Sequence, residues 1–274
     1  MQPATYLDHS SRVERLVAEL RSDLTRPVSL GEMGEIAAMS PFHLNRVVRE
    51  LTGLPPVALH GAFRLEEAKR LLLTTDASVT DACFAVGFSS LGSFSSRFSA
   101  EVGVTPSDFK RSPSVVDGHA DQLNDLIAFS SALRAPEHGV KGEVIGHGLP
   151  DGLIFVGVFP SGIARGYPVS GAVLHRPGPF VVANVPDGRW NFLVACIPTA
   201  RSSIDWVLPD SEARIGSAEG IAVHGGRTPG PVLVHLRRRR PIDPPVLLSL
   251  LAAPHIVGMV RQKVDRLRAN SASA

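Results

Sequence analysis

Phe42, His43, Asn45, Arg46 and Arg49 crowd into eight consecutive positions, and each has a side chain suited to the edges or phosphates of a base-paired helix. An Asn amide pairs with an adenine edge in a bidentate way, an Arg guanidinium pairs with guanine or a phosphate, and a Phe ring packs on a thymine methyl. All five lie on one helix face if Leu44, Val47, Val48 and Leu51 turn the other way, toward a core. The helix start is marked as well. Ser40 supplies a capping hydroxyl and Pro41 sits at the first helical position, where no amide hydrogen is needed.

The elements that must hold this face repeat at an offset of 50 residues. Met33 matches Cys83, Ile36 matches Val86, Ser40 matches Ser90, Leu44 matches Phe94, Val48 matches Phe98, Gly53 matches Gly103 and Pro56 matches Pro106. Each copy reads as a short helix, a break carrying a serine, and a second helix with apolar residues four apart that ends at a glycine. That is the layout of a helix-turn-helix, in which the first helix braces the second against a major groove. A plain helical bundle with duplicated caps is the alternative, and two copies in register argue against it. Ser29 with Glu32 forms a capping box at the start of the first copy. Val13, Leu16, Val17, Leu20 and Leu24 form one apolar helical face before it, and Leu65, Ala68 and Leu72 form another on the helix Val57 to Leu73 that joins the copies. Shifting the first reading face by 50 gives Gly92, Ser93, Ser95, Ser96 and Ser99, a nearly bare surface.

The stretch SVTDACFAVGFSSLGSFSSRFSAEVGVTPSDFKR, residues 78 to 111, resembles the second-motif signature of the AraC/XylS family of bacterial transcription regulators. MSPFHLNRVVRELTGLPP and RLEEAKRLLL resemble that family's first recognition helix and linker helix, so the likeness covers about residues 10 to 111. The resemblance implies an all-α tandem helix-turn-helix domain over residues 1–113 that binds double-stranded DNA and regulates transcription, as an activator or a repressor, with RNA polymerase a candidate partner. The DNA-binding residues it implies are Ser40, Phe42, His43, Asn45, Arg46, Arg49, Arg64, Ser90, Ser93, Ser96 and Arg97. The family often has a basic residue where Ser96 stands, so the second motif is the weaker reader here. Arg97 substitutes in part, and Arg64 suits a phosphate or bracing role. Gly87 is expected to turn the chain with positive φ, Phe88, Phe94, Phe98 and Phe109 to fill the core, and Cys83 to pack as a small apolar residue.

Past residue 113 the pattern changes. Short apolar runs at Leu153–Phe159, Ala172–His175, Phe180–Val185, Trp190–Ile197, Ile221–His224 and Val232–Leu236 alternate with Pro-Gly, Asp-Gly and Gly-Gly turns. This spacing predicts an antiparallel sandwich or barrel. The alternation around Trp190, Phe192, Val194 and Cys196 places that strand in mid-sheet. Residues 152 to 198 resemble the carboxypeptidase regulatory-like, or transthyretin-like, β-sandwich. The expected architecture is therefore multidomain: residues 1–113, a linker at 114–139 with a helix at Asp121 to Leu133, an all-β sandwich at 140–250, and at 251–274 a basic helix, Ile256 to Arg268, with a disordered tail. The sandwich is read as an effector-sensing or assembly module. The alternative is an enzymatic or small-molecule-binding domain fused to the DNA reader.

Catalytic signals are sparse. Cys196 sits in ACIP without the Pro-Cys-His-Arg run of a DNA-alkyl acceptor, and G-x-S-x-G, H-E-x-x-H, C-x-x-C and P-loop motifs do not occur. His175, His224 and His235 end strands and read as surface or hydrogen-bonding groups. No enzyme activity, metal or cofactor is expected. Arg237 to Arg240, the one strong charge run, reads as a solvated strand end, with a phosphate or inter-domain contact as the alternative.

Composition is that of a globular chain: 274 residues, 44% hydrophobic and 20% charged. Cys83 and Cys196 are the two cysteines, which excludes a disulfide framework. No apolar run reaches the roughly 18 residues of a membrane-spanning helix, so a cytoplasmic protein without membrane contact is expected. The formal net charge of +2 is uneven, with 12 Lys and Arg against 13 Asp and Glu up to residue 113. Bulk charge thus does not announce a nucleic-acid partner, and the placement of the arginines must.

Overall fold

The computed structural model describes residues 3–117, 138–198, 208 and 212–247. The expected helices at Asp121 to Leu133 and Ile256 to Arg268, and the expected disordered tail, lie outside them. Helices fill the first part: α1 (Pro3–Ser22), α2 (Leu30–Ala37), α3 (Pro41–Thr52), α4 (Pro56–Thr74), α5 (Val79–Ala85), α6 (Leu91–Val102) and α7 (Pro106–Asp117). Eight strands follow among the described residues: β1 (Val140–Ile145), β2 (Gly152–Phe159), β3 (Ser170–Leu174), β4 (Gly178–Val182), β5 (Gly188–Pro198), β6 (Arg214–Val223), β7 (Val232–His235) and β8 (Arg237–Arg238). The chain divides into two compact units. The first is Met1–Phe98 with Arg239–Leu247, and the second is the remainder.

In the first unit, local sequence chemistry sets where each helix begins. The Ser29 hydroxyl accepts from Glu32 N while the Glu32 carboxylate accepts from Ser29 N, so the predicted capping box closes. A second box that the sequence reading passed over, Ser78 with Asp81, starts α5 in the same way. Pro41 and Pro56 occupy first-turn positions of α3 and α4. The repeat is visible in what is buried: Met33 and Cys83, Leu44 and Phe94, and Val48 and Phe98 are all fully inaccessible. Phe88 packs edge-on against Phe94 with centroids 5.2 Å apart, and Phe94 packs against Phe98 at 5.6 Å. Gly87 has φ +81, and a Cβ there would lie 2.8 Å from Leu24 O, so both backbone sign and space require glycine. Burial raises the Cys83 thiol pKa, consistent with a packing residue.

The first unit also contains a stretch from far along the chain. Lys69 on α4 is buried, and its ammonium donates to Val246 O at 3.2 Å and Leu247 O at 3.1 Å. Arg239 pairs with Glu66 at 3.2 Å, and Arg240 donates to Leu51 O at 3.4 Å while holding the buried Asp243 at 2.9 Å. Ile242 and Leu247 are buried. The arginine run therefore splits: Arg237 and Arg238 form the exposed strand β8, and Arg239 and Arg240 are tied into the helical unit.

Among the described residues the second unit holds two sheets, β4-β1-β7 and β3-β2-β5-β6-β8. β5 lies between β2 and β6, as its alternation predicted, with Phe192, Val194 and Cys196 buried. Val140, Val144, Phe180, Val182, Val232 and Val234 from the first sheet share one core with Ile154, Val156, Val158 and Phe192 from the second. One pairing departs from the antiparallel expectation: β1 and β7 run parallel, Gly142 opposite Val232. Strands this far apart in sequence need no hairpin, so either direction is open to them. The strand β1 itself escaped the sequence reading, because its apolar residues Val140 and Val144 are separated by Lys141, Gly142 and Glu143.

Candidate nucleic-acid interface

On α3 the buried stripe is Leu44, Val47, Val48 and Leu51, and the opposite side carries the five candidate side chains. Phe42 is 84% exposed, its ring presented to solvent on the candidate face. Arg46 and Arg49 are exposed, and His43 and Asn45 half-buried. Ser40 caps the helix, its hydroxyl accepting from His43 N at 3.3 Å.

Arg46 is not loose on this surface. One guanidinium nitrogen pairs with Glu50 at 2.8 Å and the other lies 3.2 Å from His43 Nδ1. Since Arg can only donate, His43 Nδ1 accepts and its Nε2 carries the hydrogen. That Nε2 is 3.3 Å from His9 Nε2 on α1, with the two rings edge to face. The sequence reading did not single out His9; it falls on the Val13 and Leu16 face of α1, four residues before Val13, which was the available signal.

The corresponding face of α6 is built from serines. Ser90 caps the helix, accepting from Ser93 N at 3.3 Å, and its hydroxyl contacts the Ser93 hydroxyl at 2.7 Å. Ser93 in turn donates to Ser90 O at 3.0 Å, so its hydroxyl is folded onto the cap. Ser96 is exposed and Arg97 half-buried. Arg97 runs back over α4, close enough that a Cβ on Gly61 would lie 2.2 Å from its Nη2. Arg64 lies near it and donates to Gly87 O at 3.3 Å and Arg26 O at 3.0 Å, joining α4 to the α5–α6 turn and to the α1–α2 connection. This is bracing geometry.

Between these arginines sits His60, buried, with Nε2 lacking a hydrogen-bond partner among the described residues. Burial, and then the positive charges of Arg64 and Arg97, push its pKa down to about 4. The Arg64 pKa is lowered too, by burial and by Arg97. Arg64 on α4 and Arg97 on α6 thus lie close enough to act on each other's charge.

A family model described as a helix-turn-helix domain matches residues 33–112. AarP of Providencia stuartii, an HTH-type transcriptional activator, is 31% identical over 103 residues, which make up 38% of this chain and 76% of AarP. RhaS of Escherichia coli strain SE11, also an HTH-type transcriptional activator, is 32% identical over 102 residues, 37% of this chain and 37% of RhaS. The chain therefore spans about three quarters of AarP and just over a third of RhaS. Among solved structures, a transcriptional regulator with an AraC-type DNA-binding domain from Chromobacterium violaceum is 25% identical, covering 37% of this chain and 90% of that one at a TM-score of 0.36. No helix among the described residues is long and apolar enough to cross a membrane.

Proposed function

Because the chain belongs to the AraC/XylS family of helix-turn-helix transcription regulators, we propose that it binds promoter DNA sequence-specifically through a tandem pair of motifs, α2–α3 and α5–α6, and acts as a transcriptional activator. The reading rests above all on the exposed α3 face, where Phe42, Asn45, Arg46 and Arg49 supply base-edge and phosphate chemistry. The two recognition helices enter successive major grooves, about 34 Å apart along the duplex. The α3 face does most of the discriminating. The α6 face, with its serines capped on themselves, positions the protein on the backbone, and Arg64 and Arg97 hold α4 and α6 in the orientation this requires. Ser40 and Ser90 set the two helix starts.

The second unit is, in this reading, a β-sandwich of the transthyretin-like kind that binds an effector or a partner surface, RNA polymerase included, and alters how the reader engages DNA. Its support is the single apolar core shared by two sheets, a scaffold that leaves loops free for recognition. It has no catalytic role. A ligand shifts DNA engagement only by its differential affinity for the two states, which sets a scale of about 1–3 kcal/mol.

The test uses the full-length chain. Genome-wide mapping of bound DNA in the host gives the site, and titration of that site compares variants. Asn45→Ala and Arg46→Ala should each lose about 1–3 kcal/mol on the preferred site and relax preference at one or two base pairs. Ser93→Ala and Ser96→Ala should change affinity far less. A second half-site read as strictly as the first, or a footprint confined to one groove segment, would overturn the assignment.

A further inference from the structure

Among the described residues no three or more His, Cys, Asp or Glu converge to hold a metal ion. Two histidines do converge, and at a telling distance. Zinc–nitrogen bonds of about 2.0–2.1 Å at the tetrahedral angle place two ligating nitrogens about 3.3–3.4 Å apart. His9 Nε2 and His43 Nε2 are 3.3 Å apart, joined by a hydrogen bond that the ion would replace, on rings whose planes cross at 71° with centroids 5.0 Å apart. Two helices supply them, α1 and the first turn of α3, and both backbones are fixed. Val13 and Leu16 bury α1, Leu44 and Val47 bury α3, and Arg12 ties α1 to the turn before α3 by donating to Ala38 O at 3.0 Å. His43 is half-buried, so the pair has a solvent-facing side.

We propose that His9 and His43 form a bis-imidazole site for a nitrogen-preferring divalent transition metal of the zinc class, completed by water, and that the ion detaches Arg46 from His43. Imidazole is the ligand type that zinc, copper and nickel favour. Coordination forms two Nε2–metal bonds and displaces two metal-bound waters. The hydrogen on His43 Nε2 must leave, and for the ring to stay neutral a hydrogen must arrive on Nδ1, so the net proton count is unchanged. Nδ1 then presents a donor to the Arg46 guanidinium, itself only a donor, and the 3.2 Å contact becomes repulsive. Arg46 is left with Glu50 on its own helix as its remaining anchor on this face. The metal-free state holds Arg46 by both His43 and Glu50, and the metal-bound state leaves it on Glu50 alone.

The assay is equilibrium dialysis of the full-length chain against Zn2+ and, separately, Co2+, for the wild-type protein, His9→Gln and His43→Gln, with circular dichroism to verify that each is folded. The wild type should take up one ion more than either variant, or bind it about tenfold more tightly. Equal stoichiometry and affinity in all three would overturn the proposal. If one variant fails to fold, the other still decides. A second measurement rests on the DNA-binding reading above: Zn2+ should change the wild-type affinity for its preferred site by about threefold or more and leave His9→Gln unmoved. An ion bound at the pair with no change in DNA affinity would overturn the release of Arg46. An ion bound there by a protein with no sequence preference at all would instead sink the reading of α3 as a DNA reader and leave the metal site standing.

Discussion

Lys69 offers a prediction whose size follows from the structure. Its ammonium is buried against the Val246 and Leu247 carbonyls, and burial is the chief cause that lowers its pKa from 10.5 to about 8; Glu66 opposes the shift and Arg239 adds to it. The sign follows from proton counting. Between about pH 8 and pH 10.5 the unfolded chain keeps this proton and the folded chain has given it up, so the unfolded state binds more protons and stability rises with pH. Below pH 8 both states are charged and the contribution is flat. Each pH unit in the window contributes about 1.4 kcal/mol, so the whole is of the order of 3 kcal/mol. Replacing Lys69 by Met removes the titration. It also leaves two carbonyls short of a donor, at a cost of about 1–3 kcal/mol that does not vary with pH. Urea unfolding of the full-length protein, followed by far-ultraviolet circular dichroism from pH 7 to 10.5, should therefore show the helical transition of the wild type gaining on that of Lys69→Met above pH 8. Parallel stability curves across that range would refute the argument and would mean that Lys69 is hydrated or detached from the 239–247 stretch in solution.

Two further expectations concern the cluster around α4. His60 stays neutral in the folded protein down to about pH 4, so stability should fall as pH drops from 6.5 toward 4, and His60→Phe should flatten that loss relative to wild type; equal acid sensitivity in both would show that His60 is not the group responsible. Gly61→Ala places a methyl 2.2 Å from the Arg97 Nη2 position, so it should displace Arg97 and change affinity for DNA while altering thermal stability by no more than about 1–3 kcal/mol; unchanged DNA affinity would remove the bracing role given to Arg97.

The helical half was legible because each decision in it is local. A capping serine, a proline in the first turn and an apolar residue every third or fourth position all act within one helical turn, and a repeated motif shows them twice. Pairs such as Leu44 and Phe94 are buried in the structure as their spacing required. Strands were legible where one face is continuous and apolar, as in β2 and β5, and illegible where it is not. The first half of β6, Arg214 to Gly220, is almost entirely small or polar and was missed. So was the docking of Arg239–Leu247, a proline-rich stretch with no period of its own, whose place is set by partners such as Glu66 and Leu51 far away in sequence. Lys69 carried a readable signal. It lies four residues after Leu65 and three before Leu72, squarely on the buried stripe, and a lysine on that stripe announces that something must come to meet it. At the reading face, residue types pointed to the chemistry, but only coordinates show that Arg46 is held by His43 and Glu50, and Arg97 by α4.

The Lys69 contact reaches 177 and 178 positions along the chain, and this bears on how such a gene can be inherited. A helical reader folded from one uninterrupted stretch would need nothing from the rest of its gene. Here a wall of the reader is encoded beyond the strands, so a recombination event that exchanged the second half would carry off part of the first. Any replacement for the β region would have to bring its own equivalent of Arg239, Asp243 and Leu247.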